Sequence, residues 1–400
     1  MIVQKSFWEV APDTAPRLDR GERGHLGKAY LNAFEPQPPD SPGPLLRPPA
    51  PDPRPLTPAP APDPRYNVSM RAWLMDSFSG VENLRLAEVA DPKPGPGEVM
   101  LRMRFAALNP ADAFLAQAMY PAKPPLPHIL GRDGVGDVVA VGTGVEAVRP
   151  GDTVGILRCH AGVTTWGTLA DLTVVHAASV APVPQGWSIE DMAGAPLVFL
   201  TAFQALTQWS HPPSPPSAGS VLLVTGASGG VGVASVLLGK SMGMTVVALS
   251  RSAQKGAKLK ELGADFVFDP ADPNMRKNAA KAIEPRKVDL VVDNVGGPLF
   301  NQVIALLGYG GKISVVGRSA GAVPDFNTAA LFFRRNRIGG VAVGDYTAES
   351  AQLAWKEIVG RLERTGQRPV MDSVWPFEEV KAAFARLDQG PMGKVLVKVQ

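Results

Sequence analysis

VLLVTGASGGVG, residues Val221–Gly232, begins as an uninterrupted apolar run and ends as a glycine-rich turn. Apolar residues without polar alternation belong to a strand covered on both faces, as in a parallel sheet. Gly226, Gly229 and Gly232 are the spaced glycines, with Gly230 beside them and Ala227, Ser228 and Val231 filling the turn. A strand, tight turn and helix start in this order bring backbone N–H groups and a helix N-terminus to one point. That point attracts a pyrophosphate, and the missing Cβ atoms let it approach. The seven residues Gly226 to Gly232 are therefore candidate dinucleotide contacts.

Downstream the pattern repeats. Val231–Met242 reads as a helix, Thr245–Ser250 as a second strand and Ala253–Leu262 as another helix; Leu290–Asn294, Lys312–Val316 and Ile338–Val343 supply later strands. This alternation implies an α/β unit over residues 193–343, a doubly wound parallel-sheet Rossmann domain. Ligands of such sheets sit beyond the C-terminal strand ends, which adds Asn294, Val295, Val316 and Gly317 to the candidate contacts. The end of the second strand selects the dinucleotide. NAD sites usually carry Asp or Glu there for the ribose 2′-hydroxyl, whereas this chain has Ser250, Arg251 and Ser252, then Lys255. Arg251 can fork onto a 2′-phosphate, Ser250 can donate to it and Lys255 can add charge, so NADPH is the expected cofactor.

Upstream, residues 70–192 read as short strands with turn signals. In Val99–Phe105, Val99, Leu101, Met103 and Phe105 alternate with Arg102 and Arg104, a period of two. A β-rich, partly open barrel is expected here. Residues 344–400 carry helices near Ala348–Thr365 and Phe377–Leu387 and a strand at Lys394–Val399, expected to return to the first globular domain. Residues 1–69 differ. Pro36–Pro64 reads PQPPDSPGPLLRPPAPDPRPLTPAPAPDP, which forms neither helix nor sheet ladder and is expected to be a disordered, solvated extension. A translation start at Met70 would account for the break.

The chain has 400 residues, 45% of them apolar, and a formal charge of +3. That charge is too small to argue for nucleic acid or an anionic membrane. No apolar run reaches bilayer length, and the N-terminus lacks a signal-peptide core. The single cysteine, Cys159, excludes an intramolecular disulfide and a Cys-rich metal site. The expected location is cytoplasmic.

GEVMLRMRFAALNPAD (97–112), LGRDGVGDVVAVGTGV (130–145), PGD (150–152), LTAFQAL (200–206), TGASGGVG (225–232) and DNVGG (293–297) stand in one order and spacing. Over Met70–Gln400 the chain thus resembles the medium-chain dehydrogenase/reductase superfamily, specifically its zinc-free quinone oxidoreductase branch, which includes zeta-crystallin. The resemblance implies a GroES-like catalytic domain, split around the Rossmann domain, with substrate in the cleft. It also implies a homodimer or homotetramer. Zinc relatives carry a Cys before an Asp where this chain has Asn109 and Asp112, and Gly-His-Glu where it has Gly131, Arg132 and Asp133. Zinc needs three or four Cys, His or carboxylate ligands, so no metal is expected.

The resemblance places Asn109 near the nicotinamide ribose and Thr201 beside the nicotinamide. It gives Asp112 an orienting role and Phe332 and Phe333 a backbone approach to the cofactor, with core packing as their alternative. A family tyrosine is Phe114 here, so Tyr120 is the nearest phenolic donor. Adjacent Cys159 and His160 point apart on a strand and make a poor dyad; His160 is a cleft-lining candidate. His25, His128, His176 and His211 are expected at the surface. Together these residues fit NADPH-dependent reduction of a small quinone or enone by direct hydride transfer. An enoyl-CoA or acryloyl-CoA reductase, and a low-turnover NADPH-binding regulatory or structural protein, are the alternatives.

Overall fold

The computed structural model describes residues 69–323 and 326–400; the expectation for the proline-rich segment lies outside them. The first part of the chain is β-rich. It forms β1 (Ser69–Met75), β2 (Arg85–Ala90), β3 (Glu98–Ala107), α1 (Pro110–Ala116), β4 (His128–Ile129), β5 (Gly134–Val141), β6 (Thr153–Ile156), β7 (Leu172–His176) and β8 (Val180–Pro182), then the helices α2 (Ile189–Gly194) and α3 (Pro196–Thr207). On β3, Val99, Leu101, Met103 and Phe105 are buried and Arg102 is exposed, as the period of two requires. The alternation stops at Ala106 and Ala107, both buried. There β3 runs between β5 and a strand from the far end of the chain.

The second part alternates. It forms β9 (Val221–Val224), α4 (Gly230–Ser241), β10 (Thr245–Leu249), α5 (Ala253–Glu261), β11 (Phe266–Phe268), α6 (Met275–Ile283), β12 (Val288–Asp293), α7 (Gly297–Ile304), β13 (Leu307–Val315), α8 (Ala329–Arg334) and β14 (Arg337–Gly340). The strands lie in the order β11-β10-β9-β12-β13-β14, and every pairing is parallel. The winding direction reverses between β9 and β12. A crevice opens beyond the strand ends at such a reversal, and the glycine turn after β9 stands there. The strand expected over Ile338–Val343 stops at Gly340, because Val343–Asp345 turns as a 3-10 helix.

The last segment serves both halves. It forms α9 (Ala348–Thr365), β15 (Met371–Pro376), α10 (Val380–Asp388) and β16 (Lys394–Lys398). Ala351, Trp355, Ile358 and Leu362 of α9 share one core with Val198 of α3 and Val233 and Leu237 of α4. β16 instead pairs antiparallel with β3, Leu396 opposite Ala107 and Lys398 opposite Phe105. The return to the first part is thus made by β15, α10 and β16, while α9 packs on α3 and α4 and reaches β8 through Gln352 Nε2, which donates to the Val180 carbonyl.

Candidate functional site

The glycine turn is built tightly. Gly226 has φ +56°, and a Cβ at Gly232 would collide with the Gly226 carbonyl and the Ala227 backbone. Asp293, at the end of β12, is fully buried and ties the neighbouring strand end to the turn. Its Oδ1 accepts from Thr225 Oγ1 at 2.6 Å and from the N–H groups of Val295 and Gly296 at 3.2 Å each. Asn294 Nδ2 donates to the Thr225 carbonyl at 2.8 Å, and the Val316 N–H donates to the Asp293 carbonyl at 2.8 Å. Val295 and Asn294 lie against Gly226, and Gly317 lies against Asn294. The structure therefore gathers Gly226 to Gly232, Asn294, Val295, Val316 and Gly317 at one edge. The first N–H groups of α4 have no partner one turn earlier, and no side chain fills the space at Gly229. These residues fit a dinucleotide pyrophosphate.

Ser250 follows β10 at this edge and Arg251 is exposed, free to reach a ribose substituent. Lys255 Nζ donates to the Gly390 carbonyl, in the loop before β16. Phe332 and Phe333 are 65% and 75% exposed, with tilted rings whose centroids lie 4.2 Å apart, so they are surface residues of α8 and not core.

A second cluster lies across from the turn. Gly131 has φ +96°, and its Cα faces Thr168 so closely that no Cβ fits. This left-handed residue breaks strand alternation, and the two residues after it, Arg132 and Asp133, are both buried. Asp112 of α1 and Lys394 of β16 are buried with them. They form two ion pairs: Arg132 Nε to Asp112 Oδ1 at 3.2 Å and Lys394 Nζ to Asp133 Oδ2 at 3.2 Å. Lys394 Nζ also donates to Asn109 Oδ1 at 2.6 Å and to the Leu108 carbonyl at 3.0 Å. Asn109 Nδ2 donates to the Ala107 carbonyl, and the Asn109 N–H donates to Asp112 Oδ2 at 2.9 Å. Asn109 is thus a fixed side chain at the start of α1. Gly393 donates to the Ser228 carbonyl at 2.8 Å, and the Lys394 stem packs on Gly230. The cluster is tied directly to the glycine turn.

Burial pushes the Asp133 carboxyl up to about 6; Asp112 adds to the rise and Lys394 opposes it. A carboxyl raised in this way stabilises the fold below its ordinary value of 3.8, and that contribution is lost as pH rises through about 6. Burial also raises Asp112, against the pull of Arg132. Burial works against the Arg132 charge, but Asp112 and Tyr120 outweigh it and hold the guanidinium above its ordinary range. Arg132 Nη1 donates to Tyr120 Oη at 3.2 Å, which brings Tyr120 into the cluster.

Thr201 sits on α3 with its hydroxyl donated to the Leu197 carbonyl at 2.7 Å, so its hydrogen is already committed. Burial pushes the Cys159 thiol up to about 11, and the exposed His160 does not activate it. His128 corrects the surface expectation: it is 1% exposed on β4, its Nε2 has no partner among the described residues, and burial lowers its pKa. Lys394, Asp293 and the pairing role of Arg132 were missed from sequence. Lys394 left one signal, a lysine directly before the apolar run Val395–Val397 of the terminal strand.

A zinc ion does not suit these donors. Asp112 and Asp133 are each committed to a buried cation, and a dication would face both Arg132 and Lys394. Among the described residues no group of three or more His, Cys, Asp or Glu is placed to hold a metal.

The Lys394–Asp133 pair yields a stability prediction. Asp133→Asn or Lys394→Met leaves one charge buried without its partner, a loss of about 3–5 kcal/mol each. The double variant removes both charges and should lose far less than the sum. Urea denaturation of the four proteins reads this coupling; additive losses would contradict it.

Two family profiles match the chain: "Alcohol dehydrogenase GroES-like domain" over residues 95–185 and "Zinc-binding dehydrogenase" over residues 230–360. The quinone oxidoreductase of Pongo abelii is 27% identical over 331 residues, covering 82% of this chain and 97% of that protein. The synaptic vesicle membrane protein VAT-1 homolog of Homo sapiens is 30% identical over 350 residues, covering 82% and 86%. A solved structure described as an NAD-dependent alcohol dehydrogenase superposes with TM-score 0.75 at 32% identity, over 82% of this chain and all of that one. With its GroES-like and Rossmann halves, this chain belongs to the medium-chain dehydrogenase/reductase superfamily of oxidoreductases, in the zeta-crystallin-like quinone oxidoreductase branch.

Proposed function

We propose that the protein reduces small quinones or other α,β-unsaturated carbonyl compounds with NADPH, without a metal. One observation carries this reading. Two buried ion pairs, Asp112–Arg132 and Asp133–Lys394, lie beside the glycine turn after β9, and by the resemblance Arg132 and Asp133 stand where zinc relatives carry His and Glu. A reduced nicotinamide dinucleotide supplies hydride when bound there. Conjugate reduction then asks three things of the chain: hold the two planes in contact, exclude bulk water, and offer a donor to the oxygen that gains charge. Asn109, fixed by Lys394, orients the nicotinamide ribose. Tyr120 is the donor. Thr201, on the buried face of α3, packs beside the ring.

NADPH rather than NADH follows from the residues after β10. Ser250, Arg251 and Ser252 include no carboxylate, and Arg251 is exposed and available. Lys255, held by Gly390, contributes only long-range charge. Phe332 and Phe333 suit an interface better than a cofactor contact. With Tyr309 and Ile338 they leave large apolar side chains exposed beside edge strand β14, which favours a homodimer or homotetramer. Among the described residues no helix is long and apolar enough to cross a membrane; the proposed location is cytoplasmic.

An assay of NADPH oxidation with quinones, simple enones and acyl-CoA thioesters tests the reading. Turnover of quinones or enones is expected. Preference for the thioesters would assign an enoyl-CoA reductase, and no turnover with any of them a binding protein.

Arg251→Ala tests the cofactor assignment. A charge-assisted pair is worth about 1.5–3 kcal/mol. The NADPH dissociation constant should therefore rise roughly tenfold to a hundredfold, with NADH binding nearly unchanged. Nicotinamide fluorescence reads both, and equal weakening of the two would overturn the 2′-phosphate contact.

A further inference from the structure

Arg132 is only 7% exposed, yet one of its arms is unused. Nε donates to Asp112 at 3.2 Å, Nη1 donates to Tyr120 Oη at 3.2 Å, and Nη2 has no partner among the described residues. The guanidinium carbon also lies 4.8 Å from the centroid of the Tyr120 ring. One cation thus holds Tyr120 by both its face and its hydroxyl. A hydroxyl that accepts from a cation donates its own hydrogen more strongly. Tyr120 is half-buried, whereas Arg132 is enclosed, so a ligand meets the phenol first.

The placement of this pair is fixed from the glycine turn outward. Gly393 binds Ser228, Lys394 binds Asn109, the Asn109 N–H binds Asp112, Asp112 binds Arg132 and Arg132 binds Tyr120, each contact between 2.6 and 3.2 Å. The Tyr120 hydroxyl is therefore set in the same frame as the dinucleotide site.

We propose that Arg132 is a positioning residue that polarises Tyr120 into the donor for a substrate oxygen gaining negative charge, so that this site takes enolate and phenolate oxygens as ligands. The inference rests on the quinone and enone reading above. In that reaction hydride from the reduced nicotinamide adds at the β-carbon. The carbon–carbon π pair shifts and charge collects on the carbonyl oxygen as an enolate. Tyr120 donates a hydrogen bond to that oxygen, and water supplies the proton that completes the product. Arg132 lends its charge without touching the substrate. A planar fork is required, because Nε binds Asp112 while Nη1 binds Tyr120 and the guanidinium plane lies over the Tyr120 ring; an ammonium has neither the separated nitrogens nor the plane.

The test is binding of 4-nitrophenol to protein saturated with oxidised NADP, read as phenolate absorbance across pH. Wild-type protein should bind the phenolate at least about tenfold more tightly than the phenol, which lowers the probe's apparent pKa by about one unit or more. Tyr120→Phe keeps the ring under the guanidinium and should abolish the shift. Arg132→Met should remove most of it, and Arg132→Lys should fail to restore it. If Arg132→Met does not fold because Asp112 is left unpaired, Asp112→Asn/Arg132→Met removes that charge and carries the same expectation. A full shift in Tyr120→Phe or in either methionine variant would overturn the proposal, as would a wild-type protein that takes only the neutral phenol. The two readings fail separately. An Arg132-dependent shift without quinone or enone turnover sinks the proposed reaction and supports the anion site. Turnover with unchanged kcat in these variants sinks the anion site alone.

Discussion

The buried ammonium of Lys394 holds the site together. It meets three acceptors, the Leu108 carbonyl, Asn109 Oδ1 and Asp133 Oδ2, as many as it has hydrogens. Its stem lies on Gly230, and its neighbour Gly393 bonds to Ser228. One residue therefore links the end of β3, the turn before β5 and the dinucleotide turn, which belong to two different sheets. Removing the charge would release Asn109 and strand Asp133 at once. Lys394 is carried into the sheet on a terminal strand, β16, that lies between edge strand β15 and β3.

Two ion pairs enclosed side by side are costly to bury, and their attraction offsets that cost only while every partner is in place. The Asp133 carboxyl, pushed up to about 6, records the burial cost. The arrangement is neutral overall, with two carboxylates against a guanidinium and an ammonium. A neutral, enclosed frame suits a reaction in which negative charge appears briefly on a substrate oxygen, because fixed donors there are not screened by water. The return is positional: Asn109, Arg132 and Tyr120 are each held by more than one contact.

Local chemistry was legible in the sequence, and long-range pairing was not. The turn after β9 was readable because strand, glycines and helix start lie within twelve consecutive positions, Val221–Gly232. The α9 helix over Ala348–Thr365 and the alternation on β3 were readable for the same reason. Lys394 reaches a carboxylate 261 positions away and a carbonyl 286 positions away, which no periodicity announces. Arg132 was noticed as a residue that cannot bind zinc, but its bond to Tyr120 depends on Gly131 turning the chain through a left-handed conformation. The burial of His128 is not legible because β4 is only two residues long, too short to show which face it buries. The exposure of the aromatic pair on α8 was not legible, because an apolar run does not reveal an exposed edge.

The most direct test of the account follows one atom. NADPH carrying deuterium at C4 of the nicotinamide is turned over with a simple cyclic enone, and the product is examined by NMR. Direct conjugate transfer places deuterium on the β-carbon of the saturated ketone, in protein purified without added metal and assayed with a chelator present. Deuterium on the former carbonyl carbon of an allylic alcohol, or transfer that stops when chelator is added, would contradict a metal-free site built on Lys394 and its partners.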